Sequence, residues 1–228
     1  MRATLSALAG VFLAAVAPAA LAGPPDSSTP PLGTRIADVR LPRAAGGPDW
    51  SLVQETHGAK AVVVFFLGTE CPVNNAYAPT LAALHEAYAS KGVVFVAINS
   101  NQQDDSAAVA KHAREFGIPF PILKDDRATV ADRFHAERTP EAFVLDGSLT
   151  VRYRGRIDDQ FGKGVKRPKA TRQDLVEAIN EVLAGKEVSQ PCTEVSGCPI
   201  GRPAKAKAVA GGPAVTYCKE VSRLIQKH

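Results

Sequence analysis

The residues best able to do covalent chemistry are four cysteines, at positions 71, 192, 198 and 218. Cys71 follows an apolar run, Ala61 to Leu67 (AVVVFFL), and is followed at once by Pro72. A cysteine between the end of a strand and the first turn of a helix is placed for reactivity. The helix dipole and its unpaired N–H groups favour the thiolate. Proline at the first helical position loses no hydrogen bond there. Glu70 opposes thiolate formation where it stays close and charged. Cys71 is therefore the candidate nucleophile, attacking a disulfide or a peroxide oxygen. That chemistry calls for no metal and no bound organic cofactor, and a partner thiol supplies the electrons.

The elements that must position Cys71 follow from hydrophobic periodicity. Ala61 to Leu67 is a continuous run of strand formers, suited to a strand covered on both faces. Asn74 to Ser90 places Tyr77, Leu81, Leu84 and Tyr88 on one helical stripe. Val93 to Ile98 is a second buried strand. A helix is expected over Ser106 to Phe116, with Ser106 as N-cap and Gly117 as stop. A short helix is expected over Ala128 to Phe134. Two strands, Glu141 to Leu145 and Leu149 to Arg154, join through an Asp146-Gly147 turn signal. A last helix spans Thr171 to Leu183, with Gly185 after its end. The order β-α-β-α-(α)-β-β-α gives an α/β protein with a mixed central sheet and helices on both faces. It is the thioredoxin-like plan with an inserted helix and an irregular C-terminal tail.

On that plan Arg138-Thr139-Pro140, just before a strand, stands opposite Cys71. A cis peptide bond is expected at Pro140, presenting the backbone around Thr139 to a bound partner cysteine or peptide. Arg138 is a candidate to lower the Cys71 pKa by its charge.

Six blocks in order carry a resemblance: GTECPVNNAY, GVVFVAINSN, FGIPFPILKDD, RTPEAFVLD, YRGRIDD and GCPI. They resemble the redoxin branch of the thioredoxin superfamily, the peroxiredoxin-like proteins of alkyl-hydroperoxide-reductase and thiol-specific-antioxidant type. The resemblance runs from about Ile36 to Ile200 and implies a thioredoxin fold and thiol redox activity. Two departures stand out. Many relatives carry C-x-x-C at this site, whereas Gly68 and Asn74 flank Cys71 here. The peroxiredoxin motif P-x-x-x-T-x-x-C would want proline at Val64 and threonine at Gly68. Thr69, one place off, is retained as a candidate catalytic hydroxyl. Copper chaperones of this fold use C-x-x-x-C and a distant histidine. Asn75 stands at the second cysteine position, so Cys71 and His135 are not read as a metal site. His57, His85 and His112 read as solvated.

The resemblance also bears on the distal cysteines. Cys198, in SGCPI, matches a late G-C-x-I element where a resolving role is plausible. Two arrangements stay open: a Cys192–Cys198 disulfide pinning the tail, towards which the reading leans, and exchange between Cys71 and Cys198. The stretch around Cys218 reads as a short amphipathic helix, weakly similar to the approach to a haem-binding C-x-x-C-H site.

Domain organisation follows from composition. Residues 1–22 read as a secretory signal, with Arg2, an apolar run from Leu5 to Val16 and an Ala20-Leu21-Ala22 cleavage site. Residues 23–33 form a flexible lead-in, 34–185 the redoxin domain and 186–228 a cysteine-containing basic tail. Export, periplasmic or secreted, puts the thiols in an oxidising compartment. The formal charge is +4, and residues 201–228 contribute +5 of it. A solvated tail is the preferred reading over contact with a membrane surface. Nothing resembles a nucleic-acid module. The expected partners are a thiol or disulfide protein, or a small peroxide. A non-enzymatic binding module of an electron-transfer assembly is the competing class.

Overall fold

The computed structural model describes residues 32–162 and 164–202. The expected signal segment, most of the lead-in, the basic C-terminal stretch and Cys218 lie outside them.

Nine elements build the body: β1 (Ala61–Phe66), α1 (Pro72–Tyr88), β2 (Val93–Asn99), α2 (Ser106–Glu115), β3 (Ile122–Lys124), α3 (Thr129–Phe134), β4 (Glu141–Asp146), β5 (Val151–Gly155) and α4 (Asp174–Leu183). The five strands form one sheet in the order β3-β2-β1-β4-β5. The first three are mutually parallel, while β4 runs antiparallel to β1 and β5 antiparallel to β4. This is the expected α/β thioredoxin-like architecture.

Strand β1 is central, and all six of its residues are buried. Successive side chains point to opposite faces. Val63 and Phe65 join Tyr77 and Leu81 of α1, Val109 of α2 and Leu175 and Ile179 of α4 in one core cluster. Val62, Val64 and Phe66 join Leu52, Val130 and Phe134 in a second cluster on the other face. With helices on both sides neither face needs polar residues, and the run is apolar throughout. Each such aromatic or aliphatic side chain contributes roughly 1.5–3 kcal/mol by its burial.

Several local details differ from the sequence reading. Strand β3 was not expected; it is three residues long, and prolines at 119 and 121 obscure its pattern. The N-cap of α2 is Asp105, whose carboxylate accepts from the Ala108 N–H at 2.7 Å, and Ser106 is the first helical residue. In the β4–β5 turn Leu149, not Gly147, takes the positive φ of 64°. Asp146 makes that turn by accepting from the Ser148 and Thr150 N–H groups.

Residues 186–202 are irregular, but they return along the body. Arg154 N–H donates to the Pro191 carbonyl and Thr193 N–H to the Arg154 carbonyl. Gly155 lies so close to Thr193 that an added Cβ would overlap it. Further on, Cys198–Pro199 pairs antiparallel with Arg138–Thr139, and Ile200 is buried in the second core cluster. Composition marked this stretch as tail because it lacks periodicity; its attachment is made by scattered hydrogen bonds, a two-residue ladder and the apolar contacts of Val188 and Ile200.

Candidate active site

Strand β1 delivers the chain to Gly68, where there is no room for a side chain. A Cβ there would lie 2.7 Å from Asn101 Nδ2 and 3.1 Å from Thr139 Oγ1. A threonine at this position, as in the peroxiredoxin motif, would have to displace the Asn101 amide and press on Thr139. Thr69, the neighbouring hydroxyl, points elsewhere: its Oγ1 donates to Asp104 at 2.7 Å and its N–H to the same carboxylate at 3.2 Å. Its role in this arrangement is to hold the loop.

Cys71 is the N-cap of α1, with Pro72 at N1 as expected. The residue is 3% exposed. In the thiol form its Sγ donates to the Thr139 carbonyl at 2.9 Å. The Thr139–Pro140 bond is cis, and both residues are buried. The sheet thus brings the first strand–helix junction and the loop before β4 together, as the sequence plan required.

Cys198 occupies the remaining side. Its pairing register sets it opposite Thr139. Burial pushes the Cys71 thiol up, but four donors overcome it: the N–H groups of Asn74 and Cys198, the Cys198 thiol and the Thr139 hydroxyl. Cys71 is held below the ordinary thiol range. Cys198 is pushed the other way, first by its hydrogen bond to Cys71, then by burial and by the Cys71 charge. The two sulfurs are therefore differentiated, Cys71 biased towards the thiolate and Cys198 towards the thiol.

Arg138 is not among the largest influences on the Cys71 thiol. It is exposed, and its guanidinium donates to the Gly197 carbonyl at 2.8 Å. Its charge favours the thiolate of Cys198. Cys192 is an exposed free thiol lying along Arg154, and it is not joined to Cys198. A cleft of about 670 Å3 opens beside the site, lined among others by Val73, Arg138, Arg154, Phe161, Cys192 and Gly197.

Sequence reasoning missed a buried polar support. Asp104 accepts from the side-chain amides of Asn99 and Asn101 as well as from Thr69. Burial raises the Asp104 pKa, but these donors hold it below the usual carboxylate range. Asn75 donates to the Thr69 carbonyl and meets His112 Nε2 at 2.7 Å. His112 is 6% exposed, not solvated, and burial keeps it below the ordinary imidazole range. Glu141 accepts from the Glu137 N–H and from Arg154 at 2.7 Å, fixing the backbone just before the cis bond. The signal for the first group was the run Asn99-Ser100-Asn101 to Asp104 after an apolar strand.

Comparison with known proteins places this geometry in context. Residues 32–154 match the AhpC/TSA family, a stretch that holds Cys71 and Pro140 and stops short of Cys198. A hypothetical protein of Sinorhizobium meliloti 1021 superimposes with a TM-score of 0.69 at 33% identity, covering 76% of this chain and 96% of that one. An uncharacterized conserved protein of Geobacillus kaustophilus gives a TM-score of 0.69 at 30% identity, over 78% and 96%. The thiol-disulfide oxidoreductase ResA of Halalkalibacterium halodurans is 26% identical over 104 residues. That match covers 45% of this chain and 58% of the relative's length.

Proposed function

The chain belongs to the AhpC/TSA family, and on that premise we propose that it is a thiol-dependent oxidoreductase cycling between a Cys71–Cys198 dithiol and the corresponding disulfide. The observation that carries this reading is the convergence of both cysteines on Thr139: Cys198 pairs opposite it, and Cys71 Sγ donates to its carbonyl at 2.9 Å. A local C-x-x-C pair is absent, and the second thiol comes instead from a distant segment docked beside the first.

The Cys71 thiolate attacks one sulfur of a disulfide substrate and expels the other as a thiolate. Cys198 then gives up its proton and attacks the Cys71 sulfur of the mixed disulfide. The bound substrate thiolate leaves, and the two electrons have come from the two cysteines. An external dithiol returns the enzyme to its reduced state. Attack falls preferentially on the more exposed Cys198 sulfur, because Cys71, the lower-pKa thiol, is the better leaving group. The ResA relatives support disulfide exchange. Activation of a peroxide in the usual peroxiredoxin manner lacks its motif hydroxyl at Gly68.

The signal-like features of residues 1–22 support export, which N-terminal sequencing of the secreted or periplasmic protein would test. The activity is tested by rapid mixing of reduced protein with cystine, beside Cys71→Ser and Cys198→Ser. The expected result is fast oxidation by the parent, none at the site in Cys71→Ser, and a trapped mixed disulfide on Cys71 in Cys198→Ser. A parent no faster than a free thiol would leave the binding-module reading in its place.

A further inference from the structure

The edge that a polypeptide substrate would need is already taken by the chain itself. The backbone of Thr139 is the surface that the cis-proline loop offers to an incoming extended segment. Here Cys198–Pro199 pairs with it antiparallel, Cys198 opposite Thr139 and Pro199 opposite Arg138. Ile200 N–H extends the pairing to the Glu137 carbonyl at 2.9 Å. The segment lies in the position of a docked peptide, its cysteine against the nucleophile, in the manner of strand addition to a free edge.

This seating is built in on both sides. Gly197 approaches the Thr139 carbonyl so closely that an added Cβ would overlap it. Arg138 donates to the Gly197 carbonyl, Ile200 is 6% exposed, and Gly201 N–H donates to Asn101 Oδ1 at 2.9 Å. Cys71, at 3% exposure, lies beneath it. The Thr139 hydroxyl is buried, lacks an oxygen or nitrogen partner and faces the Cys71 sulfur. Its hydrogen-bond partner is the Cys71 sulfur, so it is a donor held at the nucleophile, under a segment that covers the edge a polypeptide would use.

We propose that residues 197–201 act as a built-in substitute for a peptide substrate, so that Cys71 reacts with small oxidants, hydroperoxides or low-molecular-weight disulfides, and excludes polypeptide disulfides. This rests on the proposed redox role of Cys71 and narrows its substrate class. With a hydroperoxide the Cys71 thiolate takes the distal oxygen and the O–O bond breaks. The alkoxide leaves and takes up a proton to become the alcohol, and Cys71 becomes a sulfenic acid. The Thr139 hydroxyl is placed to hydrogen-bond the peroxide. Cys198 then attacks the sulfenic sulfur, the disulfide forms and water leaves. Two electrons pass from the two thiols to the peroxide, and the atoms balance. With a small disulfide the two thiol exchanges already described apply.

The test compares single-turnover oxidation of the reduced full chain by hydrogen peroxide, by cystine and by a disulfide-bonded polypeptide, in the parent and in Gly197→Ala. Displacing a segment held by several hydrogen bonds and a buried isoleucine slows the polypeptide roughly a hundredfold relative to the better small oxidant. Gly197→Ala lifts the segment and narrows that ratio, and Ile200→Ala does the same should the first variant fail to fold. Thr139→Val slows the peroxide reaction more than the cystine reaction and Thr139→Ser retains both, which identifies a hydroperoxide as the oxidant. Equal effects of Thr139→Val on peroxide and cystine would instead mark the small disulfide. A parent that oxidises equally fast with the polypeptide and the small oxidants overturns the proposal while leaving the redox role intact. A parent inert to all three overturns the redox role itself.

Discussion

Replacing Cys198 by alanine separates its two contributions to Cys71. The variant keeps the residue 198 N–H, the Asn74 N–H and the Thr139 hydroxyl, and removes the thiol donor. Hydrogen bonds to a charged partner are worth about 1.5–3 kcal/mol, and a thiol is a weak donor, so about 1.5 kcal/mol is lost. That amounts to a roughly tenfold fall in the thiolate-to-thiol ratio at a fixed pH below the midpoint. Losing a donor to the charged form moves the midpoint of Cys71 upwards. The assay is the rate of Cys71 alkylation, followed by peptide mass from about pH 5 to about pH 9, a span that brackets perturbed and free thiols. Cys198→Ala reacts roughly tenfold more slowly in the lower part of that range and converges with the parent in the upper part. Cys198→Ser restores a hydroxyl donor in the same place and keeps the midpoint at or below that of the parent. A Cys198→Ala profile coincident with the parent's would refute the reasoning. So would a serine variant that shifts upwards with the alanine one, because both would then report the lost sulfur and not the lost donor.

Three further outcomes are expected. Asp104→Asn removes a buried carboxylate that serves Asn99, Asn101 and both donors of Thr69, lowering stability by about 2–3 kcal/mol at neutral pH in urea unfolding. Because the folded pKa of Asp104 lies below its unfolded value, its contribution is complete above about pH 4 and fades as the pH falls through the folded pKa. The gap between parent and variant should therefore shrink in acid, and a gap independent of pH would contradict the assignment. Arg154→Ala leaves the buried Glu141 carboxylate without its cation, at a cost of about 3 kcal/mol by denaturant midpoint; a neutral result would show that Glu141 is not held by that pair. Phe65→Ala empties the centre of β1, where the ring meets Phe95 and Phe120, and costs about 3–5 kcal/mol. Calorimetry showing less than about 1 kcal/mol would mean that the core had collapsed to fill the gap.

The fold was legible where one local signal sufficed. The run Ala61 to Leu67 announced the central strand, Cys71-Pro72 the following helix, and Thr139-Pro140 the loop opposite. Short or cooperative features were not legible. Strand β3 is too brief for periodicity and gains its register from β2. His112 sits in a helix of mixed polarity; it stacks on Phe116 one turn on, but it also meets Asn75 of α1, a contact no single segment encodes. The pairing of Cys198 with Thr139 joins residues far apart in sequence, and its determinants are a close approach at Gly197 and one buried isoleucine. Proximity along the chain is visible in a sequence, and docking across a sheet is not.

The measurement that bears most directly on the account is a disulfide map of the reduced full chain after one equivalent of a small oxidant, read by peptide mass. A Cys71–Cys198 linkage is expected, with Cys192 still free. A map showing Cys192–Cys198, with Cys71 left as a thiol or a sulfenic acid, would contradict it.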